Sequence, residues 1–317
     1  MRLVRGDVGG AAAGALHRTE LLAPMPVTAA SALELFDALG MACNCAVAAG
    51  DLRAARAHAE RLRDLPFYRE EGHLATRRLI VVTALAGDWD ETVTLAQRFR
   101  EGWERAGRPR AGNLSGPAYA AATVHGLRGN DDARAEWLDI VNTLRTPGST
   151  AELHRCGEVF DALVLLHRGL PQQAVQVLDT PPEDLNHWAD SVWRTWYAAL
   201  WAESAVMSGN EDAAARIQRA RPATAGNAIA AAIVDRAAAV NGRDGGRDAL
   251  AISATALADA GCRYQWARTL VLLGGEQQAQ GEAVLATMGA TATARPPTGP
   301  ASGAGPRDAG KTVDRPS

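Results

Sequence analysis

The sequence predicts an all-α chain folded as an α-solenoid of about seven antiparallel helix pairs, and three observations predict it. A glycine, usually followed by a polar residue, closes one apolar helical stretch and opens the next at Gly50, Gly87, Gly129, Gly169, Gly209, Gly242 and Gly275. Their spacings of 37, 42, 40, 40, 33 and 33 residues lie where a repeated unit means stacked supersecondary structure. Apolar residues return at helical intervals, as in Leu79, Val82, Leu85 and Ala86, and no alternating strand pattern occurs.

Each mark has the chemistry of a helix–turn–helix junction. A glycine just past a helix can take the left-handed conformation that closes the last turn. Asp51, Asp88, Asn130 and Asn210 come directly after their glycines, where a short polar side chain can accept from free N–H groups of the next helix. Ala55, Ala133, Ala174, Ala214 and Ala279 lie four or five positions past the marks, small enough to let paired helices approach closely. The pattern predicts helix pairs over 28–49 with 52–64, 69–86 with 89–106, 115–128 with 131–145, 151–168 with 170–179, 187–208 with 211–220, 226–241 with 244–260, and 263–274 with 276–288. Residues 1–27 read as a poorly ordered or capping segment, 28–289 as the helical-repeat domain, and 290–317, with Pro296, Pro297, Pro300, Pro306 and Pro316, as a disordered tail rich in Pro, Gly, Ala and Thr.

A formal net charge of -3 without a Lys/Arg run argues against nucleic acid as the main partner. Cys43, Cys45, Cys156 and Cys262 fall within predicted helices, as buried thiols of a reducing compartment do. Cys43 and Cys45 are two apart and point to different helix faces, so they cannot jointly grip a metal. Asp7 interrupts a start that otherwise has the flavour of a signal peptide, and no run approaches the roughly 20 unbroken apolar residues of a membrane span. The expectation is a cytoplasmic protein without cofactor or metal.

Motifs with chemistry are sparse. Gly305 to Thr312, including Gly305, Gly310, Lys311 and Thr312, spells a phosphate-binding loop letter by letter. No strand precedes it, Pro306 removes an N–H, and Pro316 breaks the short stretch after Thr312 where a helix is needed, so it reads as a chance match. His187 sits three residues from Asp184 and Asp190, an acid-rich helix start rather than a site. Glu152, His154 and Cys156 alternate by two and splay around a helix. Nothing here nominates an enzyme. The alternative is a helical enzyme whose site gathers dispersed residues such as His125, His154 and Glu158.

Half of the tryptophans fall between His187 and Trp201. Trp193, Arg194, Trp196, Tyr197 and Trp201 are the candidate partner-binding residues: aromatics at helical spacing fill a core between repeats, or face a concave groove as anchors for a protein or small inducer.

The hairpin marks, together with Phe99-Arg100-Glu101-Gly102-Trp103-Glu104-Arg105-Ala106-Gly107-Arg108-Pro109 and Arg268-Thr269-Leu270-Val271-Leu272-Leu273-Gly274-Gly275-Glu276, resemble the tetratricopeptide-like helical region of large actinobacterial ATP-binding regulators of the LuxR-type group, some linked to nucleotide cyclases. The resemblance covers roughly residues 28 to 289. In that family an ATPase or cyclase precedes the repeats and a helix-turn-helix reader often comes after them. No residue here matches those motifs, so the resemblance implies a sensor or interaction module without them.

Overall fold

The computed structural model describes residues 2–26, 28–66, 68, 72–144, 155–185, 190–242 and 246–291, all helix and connecting turn without a strand among them. A first helix, α1 (Val8–Leu22), stands where the sequence suggests a poorly ordered or capping segment. Asp7 caps it by accepting from the Gly10 N–H, and it packs along α2 (Ala29–Ala48), to which Arg18 is tied through Glu34 and Asp37. Thr28 and Ser31 form a reciprocal cap at the start of α2.

Among the described residues seven antiparallel pairs keep closely to the predicted boundaries, while the predicted helical residues 69–71, 145 and 151–154 lie outside the described set. The pairs are α2 with α3 (Leu52–Arg63), α4 (Gly72–Ala86) with α5 (Trp89–Arg105), α6 (Ser115–Leu127) with α7 (Asp131–Leu144), and α8 (Cys156–His167) with α9 (Pro171–Val177). Then come α10 (Arg194–Ser208) with α11 (Ala213–Ala223), α12 (Ala228–Asn241) with α13 (Gly246–Asp259), and α14 (Arg263–Leu273) with α15 (Gly275–Thr287). The helix expected over 187–208 begins at Arg194, after a short 3-10 turn at Asp190–Val192, and residues 186–189 lie outside the described set. Of the tail expected from 290, Ala290 and Thr291 are held by the Leu285 and Leu127 carbonyls, and residues 292–317, with the phosphate-loop-like stretch, lie outside the described set.

Six of the seven marking glycines have φ between 61° and 97°, while Gly242 is extended at φ -79°. Asp51 and Asn130 cap as expected, accepting from Ala54 and Ala133. Asp88 instead turns to Arg56 and Asn210 accepts from Ser208, because both side chains find partners outside the helix start. Of the alanines expected at close helix crossings, Ala55 and Ala174 are fully buried, but Ala214 and Ala279 are exposed. Glycines take the tightest places: a Cβ at Gly102 would lie 2.7 Å from the His73 nitrogen, and one at Gly281 would lie 2.6 Å from the Ala267 carbonyl.

The pairs form two rows. The first helix of each later pair is buried nearly throughout, as α10 is from Thr195 to Ala205, while the second helices bury a single stripe, such as Leu52, Ala55, Ala59 and Leu62 on α3. Inner neighbours run parallel: Gly157 at the start of α8 lies against Tyr119 near the start of α6, and Gly126 near the end of α6 lies against Val164.

The rows do not stay open. The carboxyl end of α2 meets the amino ends of α10 and α12: the Val47 carbonyl accepts from Trp196 Nε1 at 2.8 Å, and the Ala48 carbonyl accepts from Thr195 Oγ1 at 3.0 Å and Asn227 Nδ2 at 2.9 Å. At the end of α4, the Leu85 carbonyl accepts from Cys262 Sγ, just before α14. At the end of α6, the Leu127 carbonyl accepts from the Thr291 N–H at 3.1 Å. Carbonyls that a helix end leaves without intrahelical partners are thus satisfied by groups from distant pairs, and at the ends of α2 and α4 the negative helix end faces the positive start of another helix. The second half of the chain seats on the first, and a long seam marks the join.

Candidate functional site

The aromatic helix lies under this seam. Trp193, Trp196, Tyr197 and Trp201 are 8, 1, 0 and 2 % exposed. Trp193 packs on Phe160, and Trp201 lies beneath Arg216 and Arg219, at 4.7 and 5.0 Å from its ring centre. Tyr197 accepts from the Thr180 N–H through its hydroxyl, and Arg194, half-buried, reaches toward the carbonyls of Leu3 and Val4. The four rings therefore fill the interior, the first of the two roles the sequence leaves open for them, and are not exposed as anchors for a partner. His187 and Trp188 lie outside the described residues.

Beside these rings sits a charged cluster. Glu203 on α10 pairs with Arg236 on α12 at 2.7 Å and with Arg268 on α14 at 3.5 Å, all three at most 3 % exposed. Gln265 and Thr269 take further hydrogens of Arg236. Burial alone would raise the Glu203 pKa, but the two guanidiniums outweigh it and hold the carboxyl below its usual range. The Tyr264 hydroxyl faces the same cluster, pushed up to about 12 chiefly by burial. Glu203 and Arg236 lie six residues before their marking glycines, Gly209 and Gly242, and Arg268 lies seven before Gly275. That periodic charge inside apolar helices is the sequence signal that could have revealed the cluster.

The dispersed enzyme candidates are not brought together. His125 lies in the last turn of α6 and Glu158 in the first turn of α8, at opposite ends of parallel helices, and Glu158 is held by Arg155 at 2.8 Å. His154 lies outside the described residues. Among the described residues no three His, Cys, Asp or Glu side chains gather as a metal requires. Cys43 and Cys45 face separate clusters, Cys43 the main core and Cys45 the packing beneath α1, and all four cysteines are buried and free. One described helix, α2 over Ala30–Ala48, is long and apolar enough to cross a membrane, contrary to the expectation from unbroken runs, and half of it is buried in this fold.

Two adjoining clefts lie on the seam. A cleft of about 580 Å³ runs between the α2–α3 turn and the α13–α14 turn, floored by Ala49, Leu52, Val82 and Ala228 and rimmed by Arg53, Asp88 and Asp259. A second, of about 480 Å³, shares Ala49 and Ala228 with it and continues past Thr224, Gly226 and Asn227 toward Arg221 and Asp235. Arg56 is committed to Asp88 and Glu91, and Arg221 to Asp235. Arg53 on the first half and Asp259 on the second are exposed and engage in no ion pair among the described residues.

Comparison of the chain with protein-family models, with curated proteins and with solved structures found no match.

Proposed function

We propose that this is a non-catalytic, tetratricopeptide-like helical-repeat protein that serves as a signalling or transcription-regulator module by holding a protein partner along its seam. The observation that carries the reading is the pair of adjoining clefts, with a floor of small apolar side chains and, in the lining of the larger, Arg53 from the first half and Asp259 from the second, exposed charges of opposite sign that engage in no ion pair among the described residues. Such a groove suits an extended partner segment whose small apolar side chain lies between an acidic and a basic one. The resemblance to the repeat region of LuxR-type regulators supports the regulatory setting, and four free buried thiols suit a reducing cytoplasm.

The test is a photo-crosslinking residue at Ala228, which lines both clefts, set against one at exposed Ala57 on α3. In source cells the seam position yields one discrete protein adduct, lost on adding Arg53→Glu, and Ala57 yields none. Equal labelling from both positions, or a small molecule in place of a protein, removes the reading.

A further inference from the structure

Arg77 and Arg78 on α4 have no counterpart to the Glu203 that balances Arg236 and Arg268. Arg77 is 7 % exposed, yet its Nε is buried without an acceptor, and its described contact is the face of Phe36, 5.0 Å from ring centre to guanidinium. Arg78 donates from Nη1 to the neutral Asn44 Oδ1 at 2.5 Å, and its Nε too is buried without an acceptor. Neither forms an ion pair with a carboxylate among the described residues. Asp37, the acid whose field Arg78 feels, is already bound by Arg18 at 2.7 Å. Cys43, beside both guanidiniums, supplies no negative charge, since burial pushes its thiol up to about 11. Burial, and then repulsion from Arg78, drives the Arg77 pKa down to about 9. A buried cation with neither counter-ion nor full hydrogen bonding is costly, and a cation–π contact offsets only part of that.

The two side chains lie along one face of α2. Phe36, Gly40 and Asn44 are spaced by four, so each step rises about 6 Å. Arg77 lies over the first and Arg78 reaches the other two, with its Nη2 3.9 Å from where a Gly40 Cβ would stand. A Cβ there would be in ordinary contact with Arg78 Nη2 and Leu62 Cδ1, both at 3.9 Å, so the glycine keeps the surface between the two forks low, and Arg78 is partly exposed, which gives access from solvent. We propose that Arg77 and Arg78, with Asn44 and the low surface at Gly40, form a binding site for a phosphoryl oxyanion, whether free phosphate or the phosphate of a small metabolite. Two guanidiniums presenting unmet N–H groups match its tetrahedral oxygens, and the oxyanion supplies the negative charge that the described residues do not.

The experiment is thermal unfolding of the full chain in inorganic phosphate against chloride at matched ionic strength and pH, with acetate as a planar carboxylate control. Wild type gains a Tm that rises with the logarithm of phosphate concentration, and acetate gives a smaller rise. Arg77→Met and Arg78→Met abolish the phosphate shift, and Arg77→Met unfolds at a higher temperature than wild type in chloride, because a stranded charge is gone. A wild-type Tm that phosphate moves no more than chloride overturns the site without any variant. Equal phosphate shifts in wild type and in Arg78→Lys, which keeps the charge but loses the fork, overturn the assigned geometry.

Discussion

Trp196 donates its indole N–H to the Val47 carbonyl at 2.8 Å, across 149 positions of sequence. The contact joins the fifth helix pair to the end of the first, and it explains why the most aromatic helix of the chain is interior. Trp196→Ala removes a buried ring and one of the hydrogen bonds at the Val47 carbonyl, which keeps the Gly50 N–H at 3.1 Å, so a loss of about 4 kcal/mol, mostly from the lost ring, is expected from urea unfolding. Partner capture then falls only as the folded fraction falls. Abolished capture in a variant of wild-type stability would restore the aromatic helix as a contact surface.

Close helix approach makes a second prediction. Gly102→Ala sets a methyl against the backbone of His73 and Gly72, and Gly281→Ala against that of Ala267 and Val271. Each is expected to cost about 2 kcal/mol of overpacking, read from the denaturation midpoint. The exposed Ala57→Ser, away from any crossing, is the control and stays within about 0.5 kcal/mol.

His167 makes stability depend on pH. It is fully buried, with Nε2 3.0 Å from Thr291 Oγ1, and its pKa is lowered to about 4 by burial, with Arg268 and Arg168 adding repulsion. An unfolded histidine titrates near 6.5, so between there and about 4 the unfolded chain holds the extra proton, and stability falls as pH drops through that window. The expected contribution is about 3 kcal/mol across the window. Glu158 and Asp161, raised chiefly by burial, act in the opposite sense, so the readout is the difference between wild type and His167→Gln. Parallel pH profiles for the two would contradict the assignment.

Glu203→Gln is expected to destabilise by about 3 kcal/mol or more, since it leaves Arg236 and Arg268 buried together without a counter-charge. The triple replacement Glu203→Leu, Arg236→Met and Arg268→Met recovers much of that loss. Calorimetry of the three proteins checks it, and an unchanged Tm in the single variant would show that the cluster carries no pairing energy.

What could be read from the sequence and what could not divide along a physical line. The turns at Gly50, Gly129 and Gly209 are local, set by backbone freedom and a neighbouring polar residue, and the helix boundaries come from them. The seam is not local: Asn227 caps its own helix through Ala230, a legible role, while its amide also donates to the Ala48 carbonyl 179 positions away, which no periodicity encodes. The cleft inherits that blindness, because Arg53 and Asp259 line one space only after the halves meet. The first helix is hidden in the sequence because Gly9, Gly10 and Gly14 weaken its propensity, and contact with α2 restores what propensity withholds.

Whether the two halves rest on one another is tested most directly by amide hydrogen exchange, peptide by peptide, in Asn227→Ala. The expected result is faster exchange over Cys45 to Asp51, in the first pair, together with loosening at the start of α12, because the amide of Asn227 holds the Ala48 carbonyl. Loosening confined to residues around 227, with the end of α2 as protected as in wild type, would contradict it.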